Sequence, residues 1–128
     1  MTAQTAALTA RVIRPQDCDT ASLGATTNQF FIDGESTQGR VSLVGHVIGP
    51  RSLAAPMHLH EREDEFSFVM SGQVAAISDG HELLAGPGEL LAKPRGQWHS
   101  FWNAGDEPAR IFEIISPAVT RQAFSRLI

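Results

Sequence analysis

Short apolar runs and turn-forming residues alternate along this 128-residue chain. Val, Ile, Leu and Phe concentrate in NQFFID, RVSLVGHVI, FSFVM, QVAAIS, HELLA, ELLAKP, HSFW and ARIFEIIS. Between these runs stand DG at 33–34, GP at 49–50, SG at 71–72, DG at 79–80, GPG at 86–88, PRG at 94–96 and NAGDEP at 103–108. No run is long enough for a typical globular helix, and turn signals that recur about every seven to nine residues from residue 71 onward are the rhythm of an all-β sandwich or barrel. After Pro117 the pattern changes: Val119, Ala123, Phe124 and Leu127 recur at helical intervals, which predicts a short C-terminal helix. Residues 1–22 are mostly small and polar and read as a partly ordered N-terminal arm, leaving residues 23–128 as a single domain.

Alternation also assigns faces. On a strand, side chains point to opposite sides in turn, so Ser67 and Val69 follow Glu65 to one side and Phe66, Phe68 and Met70 go to the other. Three large apolar side chains on the outside of a small barrel call for cover, and a second copy of the chain is the expected source, making a homodimer.

Composition narrows the function. Hydrophobic residues make up 42% and charged residues 19%, as in ordinary globular proteins. The net charge is −4, and the ten basic residues, nine of them Arg, form no cluster, which argues against nucleic acid as a partner. A lone cysteine, Cys18, allows neither an internal disulfide nor a Cys-based zinc site. The N-terminal segment lacks the apolar core of a secretory signal, and no apolar run reaches bilayer length. The expectation is a cytoplasmic protein with no membrane partner.

The candidate chemistry lies in two segments. In PMHLHEREDEF, residues 56–66, His58 and His60 share a strand face, and a turn through EREDE returns the chain so that Glu65 faces the same point. Glu61, Glu63 and Asp64 read as a solvated turn, although Asp64 competes with Glu65. In GELLAKPRGQWHSFWN, residues 88–103, His99 begins a strand on which Phe101 and Asn103 share its face, while Trp98 and Trp102 lie on the other and read as packing residues. Three imidazoles and one carboxylate suit a divalent transition metal: iron, manganese, nickel, copper or zinc. His46 and His81 fall outside this pattern and read as structural or exposed. Ser67, Val69 and Phe101 are candidate pocket residues.

These spacings resemble the two motifs of the cupin superfamily. From His58-x-His60 there are four residues to Glu65 and six more to Gly72, and Gly88, Pro94, Gly96, His99 and Asn103 match the second motif throughout. The first motif, about residues 52–72, departs at its opening glycine, where Ser52 stands. The phrases HLHEREDEF and GDEPAR are similar to those of small single-domain cupins related to quercetin 2,3-dioxygenases. That resemblance implies a jelly-roll β-sandwich holding one metal ion on His58, His60, Glu65 and His99, with Glu65 as both ligand and possible general base. It further implies a metal-dependent dioxygenase-type enzyme for a small enolisable or aromatic molecule, flavonol- or polyketide-like. A non-catalytic small-molecule sensor and a metal-dependent isomerase or cyclase are the alternatives.

Overall fold

A computed structural model describes residues 8–119. Ten strands make up nearly all of the regular structure: β1 (Asp19–Leu23), β2 (Thr26–Ile32), β3 (Ser42–Ile48), β4 (Leu53–His58), β5 (Asp64–Ser71), β6 (Val74–Ser78), β7 (His81–Ala85), β8 (Leu90–Lys93), β9 (His99–Asn103) and β10 (Ala109–Ser116). Short 3-10 turns lie at Pro15–Asp17 and Gly34–Thr37. The strands form two antiparallel sheets, one in the order β1-β2-β3-β10-β5-β8 and the other β4-β9-β6-β7, a jelly-roll sandwich as expected. The expected C-terminal helix lies, apart from its first residues, outside the described residues. Among those residues no helix is long and apolar enough to cross a membrane.

Turn chemistry sets the hairpins. Ser78 pairs with His81 around the two-residue turn Asp79–Gly80, in which both residues have positive φ, the geometry that a right-twisted hairpin prefers. Gly72, between β5 and β6, has φ +90°, and a Cβ there would lie 2.8 Å from the Ala109 backbone. Glycine alone satisfies both demands.

Alternation is clearest on β5 and β10. Glu65, Ser67 and Val69 are buried while Phe68 and Met70 remain 41% and 46% exposed, and Ala109, Ile111, Glu113 and Ile115 are buried on the neighbouring strand. The interior is not uniform. One end is apolar, built from Ile48, Ala55, Val69, Val74, Ala76, Leu91, Phe101 and Ile111, and a smaller apolar cluster gathers Val44 and Ile115. Between them the inner face of the larger sheet carries Asn28, His46, Glu65, Ser67, Lys93 and Glu113, all buried.

Candidate metal centre

β4 ends at His58, and His60 lies in the turn beyond it, so the two histidines do not share one regular strand as their spacing predicts. The pairing of β4 with β9 slips between Ala55 and His58, and Pro56 and Met57 are both exposed, which breaks the alternation just before the pair. The rings nevertheless converge, 4.7 Å apart between centroids, because Gly96 donates its N–H to the His60 carbonyl at 2.8 Å and ties that turn to the second histidine segment. Asp64 makes the other tie, accepting from the Arg95 N–H at 2.9 Å. It is thereby a brace between the segments, and Glu65, at the start of β5, turns inward.

His58, His60, Glu65 and His99 each bring one donor atom to a common point, all within 4.8 Å of one another. Glu65 Oε1 lies 2.9 Å from His60 Nε2, 3.3 Å from His99 Nε2 and 4.0 Å from His58 Nε2. Ligands at about 2.1 Å from one ion stand roughly 3 to 4.2 Å apart, so these separations fit a single cation. These four atoms are sealed from solvent without well-directed hydrogen bonds, as expected of atoms meant for something else.

The backbone prepares the tautomers. His58 Nδ1 lies 2.7 Å from the Pro56 carbonyl and His99 Nδ1 lies 3.3 Å from the Gln97 carbonyl. Carbonyls only accept, so Nδ1 carries the hydrogen in both rings and Nε2 presents its lone pair to the centre. Burial, followed by the neighbouring imidazoles, pushes the His58 pKa down against the Pro56 hydrogen bond and favours the neutral, ligating ring. Burial would also lower His60, but the Glu65 carboxylate outweighs it and raises that group. For Glu65, burial alone would raise the pKa; contact with His60 and His99 and the charge of Lys93 instead hold it well below the usual carboxylate range. An ionised carboxylate beside two rings that offer lone pairs is an arrangement that could hold a cation, and His60 would give up any proton it carries on joining it.

The second motif's other residues build the frame. Asn103 donates to the carbonyls of Ile48, Gly49 and Glu107 and accepts from the Gly105 N–H at 2.8 Å, closing the loop after β9. Ser52, standing where the first motif has glycine, accepts from the Asn103 N–H through its carbonyl at 2.9 Å, an interaction any residue could make.

Beside the centre lies a small cavity lined by Thr26, His46, Ala54, His58, Glu65, Phe101 and Glu113. Phe101 is therefore a wall of this cavity. Ser67 is buried behind it, donating to Glu113 at 2.8 Å, and Val69 packs into the apolar core. Trp98 is 58% exposed rather than packed, and with Met57, Leu59 and Arg62 it lines an open groove along the outer side of His58 and His60.

A buried charge network adjoins the cavity. Lys93, the only lysine of the chain, and Glu113 are each 1% exposed and pair at 2.8 Å. The ammonium sits 3.7 Å above the Phe101 ring. His46 Nδ1 lies 2.6 Å from Asn28 Oδ1, and its Nε2 is 3.6 Å from Glu113. Motif spacing carries no sign of this network. Alternation does: Lys93 follows inward Leu91, and Glu113 stands between inward Ile111 and Ile115.

The cupin-domain profile matches residues 46–115, more than half of the chain. The chain belongs to the cupin family. This cupin is 25% identical to the tetracenomycin polyketide synthase protein TcmJ of Streptomyces glaucescens, over 92% of this chain and 78% of that protein. Over a shorter stretch, 37% of this chain and 24% of the other, it is 40% identical to the oxidoreductase iacF of Pestalotiopsis fici. Among solved structures, a predicted oxalate decarboxylase from Thermotoga maritima superposes with a TM-score of 0.77 at 17% identity, covering 84% of this chain and 99% of that one. That likeness is one of fold.

Proposed function

We propose that this cupin is a metal-dependent enzyme of dioxygenase type, acting on a small enolisable or aromatic molecule of flavonol or polyketide kind. The observation that carries the reading is the convergence of His58, His60, Glu65 and His99 on one point beside a small, partly open cavity. The similarity to a polyketide synthase protein and, over part of the chain, to an oxidoreductase supports it. A bound divalent ion supplies Lewis-acid polarisation of a substrate oxygen and, where the metal is redox-active, electron transfer. The chain's own contributions are separate. His58 and His99 hold their lone pairs inward, Phe101 lines the cavity, and Glu65 brings an ionised carboxylate to the centre as a ligand, with the role of general base proposed for it only once the bound ion has replaced its contacts to His60 and His99.

Elemental analysis of protein purified without added metal, coupled to oxygen uptake with a panel of flavonols and other enolisable phenols, tests the reading. His60→Ala and Glu65→Ala are expected to lose both metal and turnover; turnover that survives metal loss overturns it. A second reading, a cyclase or isomerase needing no dioxygen, draws support from the buried Lys93–Glu113 pair beside the cavity, because such groups serve proton transfer without redox change. Product without oxygen uptake selects it, and a ligand recovered unchanged selects a non-catalytic binder.

Phe68, Met70 and Leu90 are 41%, 46% and 55% exposed on the outer face of the six-stranded sheet, with Phe68 and Leu90 paired across β5 and β8. This apolar stripe is the proposed homodimer face. A monomeric mass by light scattering at micromolar concentration contradicts it.

A further inference from the structure

Two of the three converging imidazoles are steered by the backbone, and the third is not. His58 and His99 each set Nδ1 against the carbonyl two residues earlier, that of Pro56 and that of Gln97. His60 lies beyond the end of β4, and its Nδ1 is sealed from solvent without a hydrogen-bond partner. Its Nε2 is committed to the centre, 2.9 Å from Glu65 Oε1. The charged group beside its Nδ1 is the carboxylate of Glu63, at 3.8 Å.

Glu63 differs from the rest of its turn. Glu61 and Arg62 are exposed, whereas the Glu63 side chain is only 17% exposed, so the solvated turn expected from the acidic run does not extend to this residue. The segment that carries it is fixed at both ends. Gly96 donates to the His60 carbonyl at 2.8 Å, and Asp64 accepts from the Arg95 N–H at 2.9 Å. A carboxylate drawn out of water needs a donor, and a buried imidazole nitrogen needs a partner. Each group lacks what the other supplies.

Metal binding would bring them together. When a cation takes the lone pair of His60 Nε2, the neutral ring carries its hydrogen on Nδ1, the atom beside Glu63. The pair at 3.8 Å stands about 1 Å short of a hydrogen bond, a gap that rotation within a flexible glutamate side chain covers. A carboxylate accepting from the outer nitrogen fixes the tautomer and orientation of a metal-bound histidine and makes its other nitrogen a stronger ligand.

We propose that Glu63 is a positioning residue of the metal centre, accepting from His60 Nδ1 and doing for that ring what the Pro56 and Gln97 carbonyls do for the other two. The inference rests on the metal-centre reading and deepens it by naming a side chain that holds a ligand without being one. Glu61, of the same charge but exposed, has no such role.

The test measures the zinc affinity of the whole chain by competition with a chromophoric chelator. Glu63→Ala is expected to weaken zinc binding by about tenfold or more, the range typical of residues that orient metal-bound histidines. Glu63→Gln keeps an acceptor oxygen and should recover most of the loss. Glu61→Ala removes the same charge from an exposed position and should stay within about twofold of wild type. A second readout is the His60 Nδ1 proton in NMR spectra of zinc-loaded protein with isotope-labelled histidine. It should be protected from exchange in wild type and in Glu63→Gln and lose that protection in Glu63→Ala, while the His58 and His99 signals hold. Equal losses of affinity in Glu63→Ala and Glu61→Ala, or a His60 Nδ1 proton equally protected with and without the Glu63 carboxylate, overturn the proposal. Should Glu63→Ala fail to fold by its thermal melt, Glu63→Met, similar in size and without an acceptor, takes its place. Wild type that takes up no zinc overturns the metal-centre reading as well. Zinc binding that His60→Ala abolishes and Glu63→Ala leaves at full strength overturns this inference alone.

Discussion

The two ends of the sandwich interior are made by the same strands and obey different rules. β5 contributes Glu65 and Ser67 to the polar end and Val69 to the apolar one; β10 contributes Glu113 and Ile111 in the same way. Backbone alternation is identical in both halves and only the chemistry of the inward residue changes. At the apolar end attraction is non-directional, so a neighbour of similar volume can substitute. At the polar end each atom depends on a named partner: Lys93 on Glu113, Glu113 also on Ser67, His46 on Asn28. The fold thus keeps a tolerant half for cohesion and an exacting half for chemistry.

The largest break in this contrast should come from Glu113→Ala, which strands the Lys93 ammonium in the interior. The expected loss is about 3–5 kcal/mol in denaturant unfolding of the metal-free protein. The double variant Lys93→Met, Glu113→Leu should recover most of it, since an apolar pair of similar volume replaces the ions without leaving either unpaired. A single variant as stable as wild type would show that the pair is not a structural unit. Ile48→Val, at the apolar end, removes one methylene from a fully buried side chain. It should cost about 0.5–1.5 kcal/mol by the same measurement and leave bound metal per chain unchanged.

The smallest effect concerns pH. His46 and His58 have pKa values lowered by burial from the ordinary 6.5, so the unfolded chain takes up their protons first. Their contribution is fully present above pH 6.5 and declines as pH falls through the folded values. His60, raised by Glu65, has the opposite sign and is lost only as pH rises through its own folded value. Melting temperatures of the metal-free protein should fall gently between pH 7 and pH 5.5, and His46→Gln should flatten that slope; a rise in stability over this interval would show the assignment of signs to be mistaken.

Much of the site was legible because its information is local. Turn residues marked eight strands, and the spacings His58-x-His60, Glu65 and Gly88 to Asn103 named all four donors that converge. Choosing Glu65 over Asp64 needed only the count to Gly72, and the structure shows why the neighbour differs: Asp64 braces Arg95. His46 was harder, because a lone histidine in an apolar run looks structural until the strands beside it are known. Thr26 was harder still. Nothing in a threonine at the start of a strand says that its hydroxyl will be buried without a partner.

By itself, then, the sequence determined the strand order in time, the inward and outward faces, and the identity of the four donors that converge, since alternation and turn geometry act over a few residues. Tertiary structure alone decided which inward residues meet. It placed Lys93 on Glu113, some twenty residues apart in sequence, through the β8-β5-β10 pairing, and it carried Thr26 and His46 to the cavity that Glu65 and His58 border. Those meetings depend on sheet order and register, which are settled by burying the whole apolar surface at once and leave no mark at any single position.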